Sequence, residues 1–329
     1  MAASKPILVT GGAGFIGSHL VDALLSRGDR VTVVDDLSTG SLDNLAESRR
    51  RFGERIEVVV GRVSDVAADF SAERSFAAIY HLAAAVGVRL VVERPVHTIE
   101  TNVRETSAIL STAATGRTPI LIASTSEVYG KGSKTPMAED DDVVYGPTTV
   151  PRWSYAASKA IDEYLALAHH RTDGLPVVIV RLFNTVGPRQ SGEYGMVLPR
   201  FVRRALANEP LEVYGNGHQS RCFCDVRDVV PALISLMETK ETNGRVFNLG
   251  HDKPIEIGAL ASLVVQVLQS ESSLVNIGYE TAFDASFEDL AVRKPDLSRI
   301  RSAIGFKPRF GLEASIVDLA RSMDSGVNR

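Results

Sequence analysis

A glycine-rich turn between a short apolar strand and a helix is the feature that most narrows the folds open to this chain. Apolar residues at 7–10 run directly into Gly11-Gly12-Ala13-Gly14-Phe15-Ile16-Gly17, and leucines and valines then recur at helical spacing through residue 25. Glycines let the backbone approach a pyrophosphate, and the start of the next helix presents unpaired amides to it. The sequence therefore predicts a dinucleotide bound at Gly11, Gly14, Phe15, Ile16 and Gly17.

The second predicted strand, residues 30–34, ends in an acidic pair that begins with Asp35. A carboxylate at this point accepts hydrogen bonds from the adenosine ribose and repels the 2′-phosphate of NADP, so we expect NAD. Val63, after the third strand, is expected near the adenine. Small residues end the fourth strand and leave room for a flat cofactor at Leu82, Ala83 and Ala84.

Strand and helix patterns alternate along the first half of the chain. Further strands are predicted at 56–60, 78–82, 119–123 and 177–182, and a helix is predicted over 100–114. Such alternation is typical of a parallel, doubly wound sheet, so the expected fold class is α/β with a Rossmann-type sheet. We interpret His81 as a packed strand residue. The polar composition of 130–142 predicts a flexible surface loop.

Bulk properties exclude several kinds of partner. The chain has 329 residues and a formal net charge of −4, which gives no overall basic field for nucleic acid. Cys222 and Cys224 stand one residue apart, too close for good disulfide geometry and too few for a metal site. The sequence shows no signal-peptide pattern and no membrane-length apolar run. We therefore expect a cytoplasmic protein with reduced cysteines, no metal and no membrane partner.

The stretch from Ser124 to Gly130 brings hydroxyl groups and a carboxylate to the end of an apolar run. Downstream, Tyr155 and Lys159 lie one helical turn apart on one face. An ammonium beside a phenol favours the phenolate and lowers the tyrosine pKa. Tyr155 is therefore predicted to accept a sugar hydroxyl proton while hydride leaves for NAD, with Thr125 as its hydroxyl partner.

Several short motifs are distributed over nearly the whole chain. They are the glycine turn, Asp35, His81-Leu82-Ala83-Ala84, Thr101-Asn102-Val103, Ser124 to Gly130, Tyr155-x-x-x-Lys159 and Arg181-x-Phe183-Asn184. This set resembles the extended short-chain dehydrogenase/reductase family that acts on nucleotide sugars. The resemblance implies an NAD-binding domain over 1–185 and a nucleotide-sugar domain over 186–329, with some segments crossing between the two. It also implies a cofactor contact from Asn102 and a homodimer formed by a four-helix bundle from helices near 100–114 and 155–170.

The C-terminal motifs resemble the segments of that family that surround a uridine diphosphate sugar. They include Val213-Tyr214-Gly215-Asn216-Gly217, Arg221-Cys222-Phe223 and Arg293-Lys294-Pro295-Asp296. Guanidinium groups offer paired donors that suit a pyrophosphate. The resemblance implies substrate contacts from Arg89, Ser126, Asn184, Val213, Tyr214, Arg221 and Arg293.

Glu127 is the residue that bears on the choice of reaction. Oxidation and reduction need only the tyrosine, the lysine and a hydroxyl, whereas a carboxylate beside the sugar can serve bond breaking at carbon 5. Ser126-Glu127 in its context resembles the UDP-glucuronic acid decarboxylases of the family, which implies catalytic roles for Glu127 and Arg221. The resemblance thus implies conversion of UDP-glucuronate to UDP-xylose through a 4-keto intermediate.

Other reactions remain open from the sequence. The segment from Ala84 to Arg89 resembles the corresponding loop of UDP-sugar 4-epimerases, and 4,6-dehydratases also carry a glutamate in this region. Arg62 stands where the family commonly has an aspartate that meets the adenine amine, which puts that single contact in question. A non-catalytic NAD-binding protein is a further alternative, but Thr125, Glu127, Tyr155 and Lys159 together disfavour it.

Overall fold

A seven-stranded parallel sheet forms the centre of the computed structural model, which describes residues 5–73, 75–87, 93–192, 195–278, 290 and 292–324. Its strands are β1 (Ile7–Thr10), β2 (Val31–Asp35), β3 (Ile56–Val60), β4 (Ala78–His81), β5 (Ile120–Thr125), β6 (Val177–Leu182) and β11 (Arg245–Leu249). From edge to edge the order is β3, β2, β1, β4, β5, β6, β11. Chain order reverses beside β1, and ligands of such sheets bind at the carboxyl ends of strands near this point.

Helices cover both faces of the sheet because each presents an apolar stripe to it. They are α1 (Phe15–Arg27), α2 (Asp43–Phe52), α3 (Val63–Glu73), α4 (Pro95–Gly116), α5 (Arg152–Asp173), α7 (Val226–Glu238) and α9 (Ser298–Ile304). On one face α1, α2, α7 and α9 contribute to a single core with the sheet. On the other face α3, α4 and α5 form a second core.

A smaller unit lies beyond the carboxyl ends of the strands and has its own core. Its helices are α6 (Val197–Leu206), α8 (Ile257–Leu268) and α10 (Leu312–Asp324). Its strands are β7 (Thr185–Val186), β8 (Leu211–Tyr214), β9 (Ser220–Cys222), β10 (Cys224–Asp225), β12 (Pro254–Glu256), β13 (Leu274–Ile277) and β14 (Val292–Arg293). They pair as β7 with β10, β8 with β13, and β12 with β9 and β14.

Segments beyond the expected division at 185/186 cross back to the first unit. β11 pairs in parallel with β6 along its whole length and becomes the edge strand of the large sheet. Helices α7 and α9 also pack in the core of the first unit. The second half of the chain therefore supplies structure to both units.

Two further expectations change in detail. The strand expected over 119–123 extends to Thr125, so Ser124 and Thr125 end β5 and a 3-10 helix, Ser126–Tyr129, follows at once. The loop at 130–142 is anchored to the rest of the protein, because the buried Met137 donates its amide to the Lys294 carbonyl at 2.8 Å. The buried apolar and carboxylate side chains of this loop hold it against the rest of the protein, although most of its sequence is polar.

The cysteines behave as the sequence predicted. Cys222 and Cys224 lie in consecutive strands of two different sheets, and both are free and buried. Burial raises the pKa of each thiol, so neither is activated as a nucleophile.

Candidate active site and cofactor-binding cleft

A single continuous cavity of about 1640 Å³ runs along the carboxyl ends of the strands and into the smaller unit. Most of the predicted site residues line it: Gly11, Gly14, Phe15, Ile16, Gly17, Asp35, Val63, Leu82, Ala83, Ala84, Thr125, Ser126, Glu127, Tyr155, Lys159, Asn184, Tyr214, Arg221 and Arg293. Residues far apart in the sequence are thus brought to one cleft. The binding and catalytic roles given to them from the sequence stay predictions.

The glycine turn at one end of the cavity leaves no room for side chains. A Cβ on Gly17 would lie 2.0 Å from the carbonyl oxygen of Gly11, and a Cβ on Gly11 would lie 2.7 Å from the Ala83 nitrogen. Gly11 also has a φ of +69°, which L side chains rarely adopt. The close packing brings the backbone amides at the start of α1 to the cavity wall, which suits a pyrophosphate.

Asp35 lies at the end of β2 beside this turn. Its Oδ2 accepts a hydrogen bond from the Ala13 amide and its Oδ1 from the Leu37 amide, both at 2.9 Å. Burial raises the pKa of this carboxyl, while the backbone amides act in the opposite direction. The amides fix the carboxylate at the cavity, where its remaining lone pairs suit ribose hydroxyls. Both the glycine cradle and this acceptor fit NAD.

Two predicted contacts lie away from the cavity wall. Asn102 is buried between elements, where its Oδ1 accepts from the Ala85 amide at 2.8 Å and its Nδ2 donates to Ser158 Oγ at 3.1 Å. Val213 packs inside the core of the smaller unit, because alternate residues of β8 point inward. Their expected direct contacts with cofactor and substrate stay predictions. Arg89 falls outside the described residues.

Thr125, Tyr155 and Lys159 meet where β5 ends against α5. Thr125 Oγ1 accepts the Glu127 amide at 3.2 Å and is hydrogen-bonded to the Tyr155 phenol. The expectation that Lys159 lowers the tyrosine pKa stays a prediction. The pKa of Tyr155 lies above its ordinary value, first because the phenol is buried and then because Glu127 is negative. Lys159 Nζ instead donates to Asp162 Oδ2 at 2.7 Å.

Glu127 is held by a group of arginines, and we call Glu127, Arg152, Arg221 and Arg293 the Glu127 cluster. The carboxylate forms an ion pair with Arg293, and its Oε2 lies 3.5 Å from a terminal nitrogen of Arg152. Burial raises the Glu127 pKa, but the charges of Arg293, Arg152 and Arg221 outweigh it and hold the pKa below its usual value. The carboxylate is therefore ionised at neutral pH.

Strand pairing in the smaller unit places two of these arginines side by side. Arg221 in β9 and Arg293 in β14 are register partners in a parallel pair. Arg221 donates to the carbonyls of Ser220 and Leu290, each at 2.8 Å, and both arginines are buried. The guanidinium of Arg200 lies 3.9 Å from the ring centre of Tyr214, farther along the cavity. The far end of the cleft thus combines cationic groups with an aromatic face.

Sequence reasoning left out two residues of this region. Arg152 precedes Tyr155 by three positions, and Asp162 follows Lys159 by three. Both spacings put side chains on one face of a helix, so the helical period was the available signal. The predicted packed histidine is confirmed, because His81 is buried in β4 with Nδ1 2.8 Å from Thr10 Oγ1.

The described residues hold no group of three or more His, Cys, Asp or Glu side chains that could bind a metal ion. Across the same parts of the chain, no helix has both the length and the apolar character needed to cross a bilayer.

Comparison with known proteins gives consistent matches. The NAD dependent epimerase/dehydratase family matches residues 7–250. UDP-N-acetyl-alpha-D-glucosaminuronate decarboxylase of Bacillus cytotoxicus is 39% identical over 313 residues, which cover 95% of each chain. UDP-glucuronic acid decarboxylase 1 of Arabidopsis thaliana is 37% identical over 319 residues, or 94% of this chain and 68% of the relative. The structure of MoeE5 with UDP-glucuronic acid and NAD is 27% identical with a TM-score of 0.83, covering 98% and 100% of the chains.

The doubly wound sheet, its glycine cradle and the Tyr155–Lys159 helix define an extended short-chain dehydrogenase/reductase. The chain belongs to the NAD-dependent epimerase/dehydratase family. It is an NAD-dependent enzyme that acts on nucleotide sugars. The fold class, the family resemblance and the NAD cofactor predicted from the sequence are confirmed.

Proposed function

We propose that this enzyme decarboxylates a UDP-hexuronate, with UDP-glucuronate as substrate and UDP-xylose as product. The observation that carries the proposal is the Glu127 cluster, in which three guanidinium groups surround one carboxylate. The cluster keeps an excess of positive charge beside Tyr155 and Thr125. Such a site favours a sugar that carries its own carboxylate over a neutral hexose. The names of the two decarboxylase relatives support the same reaction.

The chemistry follows from the groups at the centre of the cavity. Tyr155, as phenolate, takes the proton of the sugar 4-hydroxyl, and NAD when bound supplies the hydride acceptor for carbon 4. The resulting ketone is β to the carboxylate, so the bond between carbons 5 and 6 breaks and carbon dioxide leaves. Its electron pair forms an enolate, which Thr125 and the arginines stabilise. A proton from solvent then adds to carbon 5, delivered by a water that the ionised Glu127 orients. As hydride returns to carbon 4, the carbon-4 oxygen takes back the proton held by Tyr155.

The proposal is tested with purified enzyme, NAD and UDP-glucuronate, following carbon dioxide and the nucleotide-sugar products together. We expect equal amounts of carbon dioxide and UDP-pentose. Tyr155→Phe should stop both oxidation and gas release, whereas Glu127→Gln should still form NADH but lose most carbon dioxide release. Wild-type turnover by Glu127→Gln would contradict the role given to this carboxylate.

A second candidate substrate is UDP-N-acetylglucosaminuronate. The relative named for this substrate matches essentially end to end, which is the observation that favours it. Both substrates carry the carboxylate that the Glu127 cluster suits, and they differ at carbon 2. Comparing kcat/KM for the two UDP sugars decides between them, because the preferred substrate should exceed the other by tenfold or more, about 1.4 kcal/mol.

A 4-epimerase is the main alternative reaction within the family. It shares the first oxidation, but the ketone turns over and is reduced on its other face without loss of the carboxylate. Formation of UDP-galacturonate without carbon dioxide would overturn the decarboxylase proposal. A 4,6-dehydratase is disfavoured because its substrate is a neutral hexose, which offers no carboxylate to the Glu127 cluster.

We further propose a homodimer formed through α4 and α5, the two helices expected to build a four-helix bundle. These helices pack on each other and leave large apolar side chains in solvent. Val96 and Tyr164 are 66% and 68% exposed, and Ile99 and Ile161 add to the same helices. Burial of these side chains against a second copy would remove apolar surface from water. Light scattering after gel filtration would detect the dimer.

A further inference from the structure

Asp162 is a buried carboxylate in direct contact with the catalytic lysine. Its Oδ2 accepts the Lys159 ammonium at 2.7 Å, and the two side chains are 0% and 2% exposed. The residues are three apart on α5, so one turn of helix holds the pair together. Asp162 is not among the residues that line the cavity, and therefore it acts on the reaction through Lys159 rather than by touching substrate.

The pair continues into a row of buried polar groups. The Thr106 hydroxyl on α4 hydrogen-bonds to Asp162 and lies 3.2 Å from Nε2 of His81. Burial lowers the pKa of His81 to about 3, with a smaller contribution from Lys159, so the imidazole is neutral. Asp162 Oδ1 has no hydrogen-bond partner among the described residues. Lys159 is thus the cation that compensates this carboxylate.

The other carboxylates of the neighbouring elements have partners of their own, and the Glu127 cluster as a whole stays positively charged. Glu127 of the 3-10 helix is paired with Arg293 of β14 and approached by Arg152 of α5. Glu163 of α5 is paired with Arg181 of β6 at 2.8 Å. On α4, Glu105 accepts the amide and hydroxyl of Ser64, at 2.7 and 2.9 Å.

We propose that Asp162 is a positioning residue that holds the Lys159 ammonium and offsets its positive charge. Through this charge it sets how alkaline the solution must be before Tyr155 works as a base. A carboxylate close to a phenol disfavours the phenolate, and it also weakens the help that the ammonium gives. In agreement with the geometry, the Asp162 charge raises the pKa of Tyr155, after burial and the charge of Glu127, whereas the hydrogen bond with Thr125 lowers it.

The inference rests on the proposed function only in giving Tyr155 the role of base. Its test is the pH dependence of kcat/KM for oxidation at carbon 4, measured with full-length enzyme at saturating NAD. This step precedes decarboxylation and is shared with epimerisation. Absence of carbon dioxide would therefore overturn the proposed function, but the pH dependence could still be measured from the oxidised or epimerised product.

Asp162→Asn is compared with the wild type and with Asp173→Asn, which changes an exposed carboxylate on the same helix. Removing the Asp162 charge should move the acid limb of the profile to lower pH by about one unit, because the phenolate forms more easily. The Asp173 control should keep the wild-type limb. A limb that stays in place or moves to higher pH in Asp162→Asn would overturn the proposal.

A purely structural role is separated by two further measurements. The dissociation constant for NAD, obtained by calorimetry, should stay within about threefold of wild type in Asp162→Asn. If that variant does not fold, Asp162→Ser supplies the smaller neutral side chain and carries the same expected shift. Loss of cofactor binding in a folded variant, with an unmoved acid limb, counts against the proposal.

Discussion

The buried pair of Glu163 and Arg181 offers a sharp test of how the catalytic strand and helix are held together. Glu163 Oε1 accepts from Ser124 Oγ at 2.5 Å and from Arg181 Nε at 3.0 Å, while Oε2 accepts a second arginine nitrogen at 2.8 Å. All three side chains are buried. Glu163 therefore joins α5, which carries Tyr155, to β6 through Arg181 and to the end of β5 through Ser124.

Glu163→Ala should be strongly destabilising because it leaves the Arg181 guanidinium buried without its carboxylate, with the Glu139 carbonyl at 3.2 Å and the neutral Tyr129 as its remaining partners. Breaking a buried ion pair on one side costs about 3–5 kcal/mol. At roughly 2 °C per kcal/mol for a chain of this size, the melting temperature should fall by about 6–10 °C. Activity should fall as well, since Thr125 adjoins Ser124.

Thermal unfolding followed by circular dichroism measures the effect. The double variant Glu163→Leu with Arg181→Met should recover most of the lost stability, because an apolar pair of similar volume leaves no uncompensated charge. Glu47→Ala, which breaks an exposed pair with Arg50, should leave the melting temperature almost unchanged. A loss of less than about 2 °C in Glu163→Ala, or no recovery in the double variant, would refute the reasoning.

Three other outcomes are expected. Gly17→Ala should weaken NAD binding at least tenfold, about 1.4 kcal/mol, because the added Cβ would clash with the Gly11 carbonyl. Gly278→Ala is the control, since a Cβ there meets nothing within 4 Å. Equal Kd values for NAD in the two variants, measured by calorimetry, would contradict this expectation. Tyr164→Asp should shift the protein from dimer to monomer in light scattering, and an unchanged mass would disprove the helix interface. Because the Glu127 pKa is depressed, its ion pair stabilises the fold above pH 4.5, the ordinary pKa, and this stabilisation is lost as the pH falls further. The difference in melting temperature between the wild type and Glu127→Gln should therefore disappear in acid. A difference that stays constant with pH would contradict the depressed pKa.

Local sequence patterns were sufficient for the fold and for much of the cleft. The glycine turn, the acidic end of β2 and the Tyr155–Lys159 spacing are each encoded within a few residues, and parallel strands necessarily bring their carboxyl ends to one edge. Val213 was assigned to the substrate by resemblance, and β8 alternates so that its side chain faces the core of the smaller unit. Asn102 was assigned to the cofactor in the same way, and its side-chain oxygen accepts the Ala85 amide, a contact that no local pattern contains.

Electrostatics were the least predictable part of the site. Glu127 meets Arg293 across 166 positions of sequence, and no local pattern contains that contact. The expected effect of Lys159 on Tyr155 ignored both burial and the counter-ion Asp162, which only the packed structure reveals. Sequence spacing predicts which side chains are neighbours on a helix. The pKa of a group depends in addition on all nearby charges in the folded protein and on the loss of water when the group is buried.

The return of β11 to the edge of the large sheet decides what can be cut from this protein. A fragment that stops at residue 185 would keep the glycine turn, Tyr155 and Lys159, but it would leave every ladder hydrogen bond on the outer side of β6 unmade. An uncovered apolar strand edge recruits further strands, so such a fragment should aggregate rather than bind NAD as a small domain. The cofactor half is therefore not a separable module, and fusions or truncations should keep the chain intact at least through Phe306.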